Sequence, residues 1–452
     1  MAEPLSAADR SSLAAEQGPV NMTVGGVLLL DDGPGLRHDA ILERVGSRLH
    51  LIPRYRQKLA QPAPGVTNPV WVDDEGFDLE WHVRFARLSE PGSDAELGRL
   101  VGREMSRRLD RARPLWELLV VDGLAEGRVA LVPRMHHALV DGVAAVDIGT
   151  VLLDPTPEPL DLPGPDEPWA PRPYDRTKHL ARLSLTPAMR AQRLLLDSAT
   201  RALNPAAGRQ AVGDLRKATE LLTELARTRP SAPMTPLNRP IGPNRRYALA
   251  SVPLADVKAA GRAHGGTVND VLVAAVAGML RRVLPPTERP PVALVPVSVR
   301  LAGEEGGNRI STVLVDLPVG EDDLSARVAA VSASMQAIKD SAAVRAGALL
   351  VGASGWAPPL VSSTLARAMG GVRAFNLVVS NIPGPQQPFW LNGQRLLAAH
   401  PVVPLNPSSQ GLSVGILSYD GQVGFGLLAD RDLEPALGDV AAALHAAQDE
   451  LR

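Results

Sequence analysis

Alternation and periodicity divide the chain into short strands and amphipathic helices. Met22 to Leu30 (MTVGGVLLL), Leu118 to Val121, Arg128 to Met135 (RVALVPRM), Val292 to Arg300 (VALVPVSVR), Asn308 to Pro318 and Asn376 to Val379 are apolar runs of strand length. Leu5 to Glu16 predicts an opening turn and a short helix. Ile41, Leu42, Val45 and Leu49 recur on one face of a helix expected from about Asp39 to Leu51. Val143, Val146, Ile148, Val151 and Leu152 do the same after the Arg128 to Met135 strand, and a further helix is expected over Val271 to Arg282. Near the C-terminus, Leu412 to Tyr419 and Val423 to Leu428 flank Asp420-Gly421, a strong hairpin signal. Gly411-Leu412-Ser413-Val414-Gly415 fits the G-x-S-x-G pattern of serine hydrolases, but that elbow needs a strand, a sharp turn at the Ser and then a helix. Here Ser413 lies inside an apolar run that enters the hairpin, so it reads as a strand residue.

At 452 residues the chain is long for one core, and its 45% hydrophobic content can fill two. Asp154 to Pro173 is dense in proline and predicts an ordered crossing without regular structure. A largely helical stretch follows, with 11 Lys/Arg against 4 Asp/Glu over residues 176–229. Residues 1–160, 161–232 and 233–452 are therefore expected as a first domain, a proline-rich and basic helical linker, and a second domain. The net charge of -2 gives no pull towards nucleic acid. The basic stretch reads mainly as a solvated face, and secondarily as a docking face for an anionic inner membrane or lipid-droplet surface. No cysteine occurs, which removes disulfides, thiolate nucleophiles and Cys-ligated metals. No apolar run approaches the roughly 20 residues that span a bilayer, so a cytoplasmic or peripherally bound protein is expected.

The candidate chemistry centres on His136-His137-Ala138-Leu139-Val140-Asp141-Gly142, between the Arg128 to Met135 strand and the helix after it, with Asp141 at an N-cap position. A lone histidine is more often a buried structural one, whereas an adjacent pair followed four residues later by Asp-Gly is a rarer and functional arrangement. Thr267 and Asp270 have capping-box spacing, which makes a helix cap the simplest role for Asp270. Asn269 beside it can present a neutral amide to a forming oxyanion. Pro114-Leu115-Trp116 precedes a strand, where a Trp usually packs in the core. Ser380-Asn381-Ile382-Pro383-Gly384-Pro385 closes the Asn376 to Val379 strand with a rigid turn.

The histidine stretch resembles the HHxxxDG motif shared by bacterial wax ester synthase/diacylglycerol acyltransferases, chloramphenicol-acetyltransferase-like enzymes and peptide-synthetase condensation domains. Pro114-Leu115-Trp116, Asn269-Asp270 and Asn381-Ile382-Pro383-Gly384-Pro385 resemble the PLW, ND and NIPGP motifs of the first group, and the likeness runs from about Leu5 to the final helix. Ser12 stands where that family usually carries an aromatic, and Ser413 where it often has Asn. The resemblance implies an α/β, two-domain chloramphenicol-acetyltransferase-like fold, each domain a mixed sheet flanked by helices, with a channel at the interface. It implies an O-acyltransferase that joins fatty acyl-CoA to a diacylglycerol or a long-chain alcohol in a ternary complex, with acyl-CoA as substrate and neither cofactor nor metal.

The resemblance gives the base role to His137 with His136 beside it, and the oxyanion role to Asn269. It makes Asp141 a loop brace rather than a triad member, with Arg300 as the candidate partner, and gives Gly142 and Asp270 supporting roles. Pro114, Leu115, Trp116, Ser380 and Asn381 would border the channel. Two other readings stay open: a condensation-domain-like acyl or amide transferase, and a non-catalytic lipid-binding droplet protein, for which Ser12 and Ser413 leave room.

Overall fold

The computed structural model describes residues 2–63, 67–139, 151–165, 167–181, 232–299, 309–340, 374–405 and 409–452. Two six-stranded mixed sheets carry the fold. In spatial order the first runs Trp390–Leu391, Gln394–Val402, Thr23–Asp31, Arg128–His136, Trp116–Leu124, Val83–Arg87, with only the last two strands parallel. The second runs Arg309–Asp316, Val292–Val299, Leu377–Pro383, Leu412–Tyr419, Gln422–Asp430, Arg245–Pro253, and Leu377–Pro383 is parallel to both of its neighbours. The Val268–Val283 helix is buried from Asp270 to Leu280 and packs against the Leu437–Asp449 and Leu324–Asp340 helices. An aliphatic core beneath the second sheet follows from the scarcity of aromatics in the sequence.

Most of the expected strands form, with their ends moved by a few residues. Asp420 (φ 43°) and Gly421 (φ 77°) are both left-handed, the turn that matches the twist of a two-residue hairpin, and Leu412–Tyr419 pairs with Gln422–Asp430 across it. Ser413 sits inside the first of these strands, buried, with its Oγ donating to Val403 O at 2.6 Å. It is a strand residue and not a nucleophile at an elbow. Of the helix expected after Val143, residues 143–150 lie outside the described residues, as does most of the basic 176–229 stretch.

The two halves of the sequence interlock. Gln394–Val402, from the second half, joins the first sheet beside Thr23–Asp31. The Asp94–Ser106 helix, from the first half, packs on the Arg245–Pro253 edge of the second sheet. Both contacts need bare backbone. A Cβ on Gly98 would stand 2.4 Å from Tyr247 O, and one on Gly102 2.8 Å from Arg245 O. Where the Gln394–Val402 strand crosses the second sheet, a Cβ on Gly426 would meet Pro401 O at 1.9 Å and one on Gly424 would meet Ala399 O at 2.1 Å. Gly426→Ala must therefore push main chain apart. It should lower stability by about 1–3 kcal/mol or more, the usual cost of overpacking. Thermal melts check this, and a variant melting with the parent would mean that the crossing has slack.

Candidate active site

The Arg128–His136 strand ends on the first histidine, His137 opens the turn that follows, and backbone bonds fix both residues. His136 N donates to Leu115 O at 3.0 Å, His137 N donates to Met22 O at 2.8 Å, and Leu139 N returns to His136 O at 2.8 Å. The pair is thus pinned between the start of the Thr23–Asp31 strand and the Pro114-Leu115-Trp116 stretch. Successive side chains at a strand end point opposite ways. His136 is buried, at 1% exposure, whereas His137 is exposed.

His136 accepts a bond from Ala138 N at its Nδ1, 3.0 Å away. An N–H can only donate, so the ring proton sits on Nε2, which faces Glu16 Oε2 at 3.6 Å, an ion-pair separation rather than a tight hydrogen bond. Glu16 is itself buried. It accepts from Arg111 at 2.8 Å and from Met22 N at 3.2 Å. Burial alone would raise its pKa, but His136 and Arg111 outweigh that and hold it at about 2.

The opening helix, Ala7–Ala15, together with its C-cap residue Glu16, supplies both neighbours of the pair. It is started by a capping box in which Asp9 N donates to Ser6 Oγ and Ser6 N donates to Asp9 Oδ2, each at 3.0 Å. Ser12 and Glu16 are four residues apart, so they share the face turned to the histidines. Ser12 Oγ lies 3.3 Å from His137 Nδ1. Sequence reasoning noted Ser12 only as a departure and gave Glu16 and Arg111 no role. The available signal was a pair of polar residues at helical spacing on a segment that also carries the core residues Leu5 and Leu13.

Leu115 and Trp116 belong to the core. The Trp116 ring stacks on His82 (4.5 Å between centroids, 14°), and its Nε1 donates to Tyr55 O at 2.8 Å. A small apolar cavity of about 30 Å³ opens beside it, between Tyr55, Val45, Leu49, Met135 and Leu152. His82 is buried and donates from Nδ1 to Trp116 O at 2.7 Å, and burial lowers its pKa to about 4.

In the second half, Asp270 is a helix cap. Thr267 N donates to its Oδ2 at 2.9 Å, Asp270 N donates to Thr267 Oγ1 at 3.2 Å, and Ser332 Oγ donates to the same carboxylate at 2.7 Å. Asn381 Nδ2 donates to Asn269 Oδ1 at 3.0 Å, which brings the ND and NIPGP motifs into contact. Ser380 is half-buried on the Leu377–Pro383 strand, opposite Gly415. Asp141, Gly142 and Arg300 lie outside the described residues. No group of three His, Asp or Glu side chains that could hold a metal ion occurs among the described residues. Nor is any described helix long and apolar enough to cross a membrane.

Comparison with known proteins agrees with this architecture. Residues 5–272 match the wax ester synthase/diacylglycerol acyltransferase catalytic domain, and residues 306–452 match the C-terminal domain of the same family. A Mycobacterium tuberculosis protein named probable diacylglycerol O-acyltransferase is 33% identical, over 95% of this chain and 94% of its own length. A second protein of that name from the same organism is 31% identical over 93% and 89%. Among solved structures, the wax ester synthase/diacylglycerol acyltransferase of Marinobacter aquaeolei VT8 superposes with a TM-score of 0.70 at 29% identity, covering 99% of this chain and 98% of that one. The starter condensation domain of rhizomide synthetase shares the fold at 15% identity, with a TM-score of 0.57 over 100% and 95% of the two chains. The class is therefore that of acyltransferases with the two-sheet, chloramphenicol-acetyltransferase-like fold. Within it, the chain belongs to the wax ester synthase/diacylglycerol acyltransferase family.

The buried Glu16 carboxylate gives the site an acid limit. Its pKa in the fold, about 2, lies below its ordinary 4.5, so its contacts stabilise the protein above pH 4.5 and this contribution is lost as pH falls towards 2. The full contribution is on the order of 3 kcal/mol. Urea unfolding of the parent and of Glu16→Gln across this range should show a stability gap that closes as pH falls. A gap independent of pH would mean that the ionised carboxylate contributes nothing.

Proposed function

We propose that the chain transfers a fatty acyl group from acyl-CoA to a diacylglycerol or a long-chain alcohol, with His137 as general base. The observation that carries this reading is the split between the two histidines. His136 is buried, with Nδ1 engaged by the backbone and Nε2 facing a carboxylate, whereas His137 is exposed on the same anchored strand end. An imidazole, with an ordinary pKa of about 6.5, suits proton removal near neutral pH. His137 takes the acceptor's hydroxyl proton as the oxygen attacks the thioester carbonyl. When the tetrahedral intermediate collapses, the C–O bond stays, the C–S bond breaks, and the proton passes to the departing thiolate.

Asn269 is the proposed oxyanion donor. With its Oδ1 accepting from Asn381, its amide NH2 is oriented to donate. The chain contains no cysteine, and Ser413 is spent on a backbone carbonyl, which favours direct attack in a ternary complex over an acyl-enzyme. His136 and Glu16 serve as the rigid floor beneath the base.

Incubation with labelled palmitoyl-CoA and either hexadecanol or diolein tests the activity. If neither neutral ester forms while the Marinobacter enzyme succeeds in parallel, the reading fails, and transfer to an amine alone would favour a condensation-like enzyme. His137→Ala should cut kcat about 10² to 10⁴-fold with a smaller fall in the melt than His136→Ala, because its ring is exposed. His136→Ala should lower the melt, because it opens a buried site and strips Glu16 of a partner. Asn269→Ala should lower kcat while leaving acyl-CoA binding intact. Equal kinetic losses in the two histidine variants, with equal melts, would overturn the division of roles.

A further inference from the structure

We propose that Ser12 is a positioning residue for His137. Its Oγ accepts a hydrogen bond from Nδ1–H, and so sets which ring nitrogen carries the lone pair. The inference rests on the reading of His137 as base and adds to it the group that fixes the base's tautomer.

Ser12 does not wander. Its helix is fixed at one end by the Ser6 and Asp9 capping box, along its length by Leu13 in the core, and at the other end by Glu16, which is held by Arg111 and Met22 N. Ser12 is 8% exposed, and a buried hydroxyl without a partner is costly. Its oxygen lies 3.3 Å from Nδ1 of a ring whose own backbone is pinned to Met22 O.

The direction of the bond follows from the chemistry. A hydroxyl can donate or accept. Were it to donate to Nδ1, the ring proton would sit on Nε2, and neither nitrogen would be ready to take a proton. With Oγ accepting, Nδ1 keeps its hydrogen both before and after the ring is protonated, and the same bond serves the neutral base and the imidazolium. A neutral oxygen also orients the ring without the added basicity that a carboxylate would bring. The helix thus gives the buried His136 a carboxylate and the exposed His137 a hydroxyl, four residues apart.

The test uses the full chain, with Ser12→Ala and Ser12→Thr beside His137→Ala. Ser12→Ala should lower kcat about two- to tenfold, the usual worth of one hydrogen bond between neutral groups, at unchanged KM for palmitoyl-CoA and across the whole pH profile. Ser12→Thr, which keeps the oxygen, should restore kcat. Imidazole ¹⁵N spectra, with the His137 signals assigned by their loss in His137→Ala, should show protonation at Nδ1 in the parent and a mixture of tautomers in Ser12→Ala. A parent ring protonated at Nε2, a parent-like kcat in Ser12→Ala, or an equal loss in Ser12→Thr would each overturn the proposal. A fully active His137→Ala would instead overturn the base reading and the kinetic consequence with it, while the spectra would still decide whether the hydrogen bond exists.

Discussion

A strand of the first sheet lies against bare backbone of the second, and the relation of the two halves depends on that contact. At Gly415, Gly424 and Gly426 the Gln394–Val402 strand comes so close that any side chain would collide with Ala399 or Pro401. Carbonyls brought this deep need donors. Tyr247 Oη supplies one, at 3.0 Å from His400 O and 3.2 Å from Pro401 O, and its burial pushes the phenol's pKa far above the usual value, so it remains a donor. His400, buried in the same seam, is held neutral by desolvation, with a pKa lowered to about 4. A charge here would have no solvent to meet it. At this seam, close packing and neutral hydrogen bonds join the sheets.

Within the first half, buried charge is gathered into two clusters, one of them on the strand that leads to the histidines. Arg134, two residues before His136, is fully buried and bonds Glu117 at 2.8 Å, with Glu104 at 3.4 Å and Arg84 bridging both carboxylates. Asp154 accepts from both Arg44 and Arg48, and desolvation with mutual repulsion lowers the Arg44 pKa to about 10. Such clusters are weak evidence for net stability, since desolvation offsets much of the attraction. What they do supply is a penalty for misplacement. A shift of the Arg128–His136 strand by one residue would turn Arg134 to the opposite face and cost both carboxylates their fully buried partner, leaving only partly exposed arginines to meet them. The register that presents the histidines is thereby tied to the register that satisfies Arg134.

This separates what could be read in the sequence from what could not. The hairpin of Leu412–Tyr419 and Gln422–Asp430 was legible because Asp420-Gly421 states its turn locally, and the capping box at Thr267 and Asp270 was legible for the same reason. The Gln394–Val402 strand was not, because QRLLAAHPV shows no alternation: near its end both faces are buried. The Asp94–Ser106 helix was hidden by Gly98 and Gly102, which lower helix propensity but are required where the Arg245–Tyr247 backbone approaches. At the site, the histidine motif stood out as a rare local pattern. Glu16 and Ser12 did not, because what gives them meaning is a contact across more than a hundred residues.

Adjacency of the two histidines is itself the device that differentiates them. Had they been two residues apart on the strand, both rings would have faced one side and shared one environment. At consecutive positions one ring is driven inward, where a carboxylate and a backbone N–H settle its proton, and the other outward. The outward ring inherits the rigidity of the inward one, because Leu139 N closes back on His136 O and His137 N is bonded to Met22 O. A general base needs an accurate position more than a strongly altered affinity for the proton. For the base proposed at His137, an exposed ring on a fixed backbone with the Ser12 hydroxyl 3.3 Å from its Nδ1 would meet that need without burying a charge.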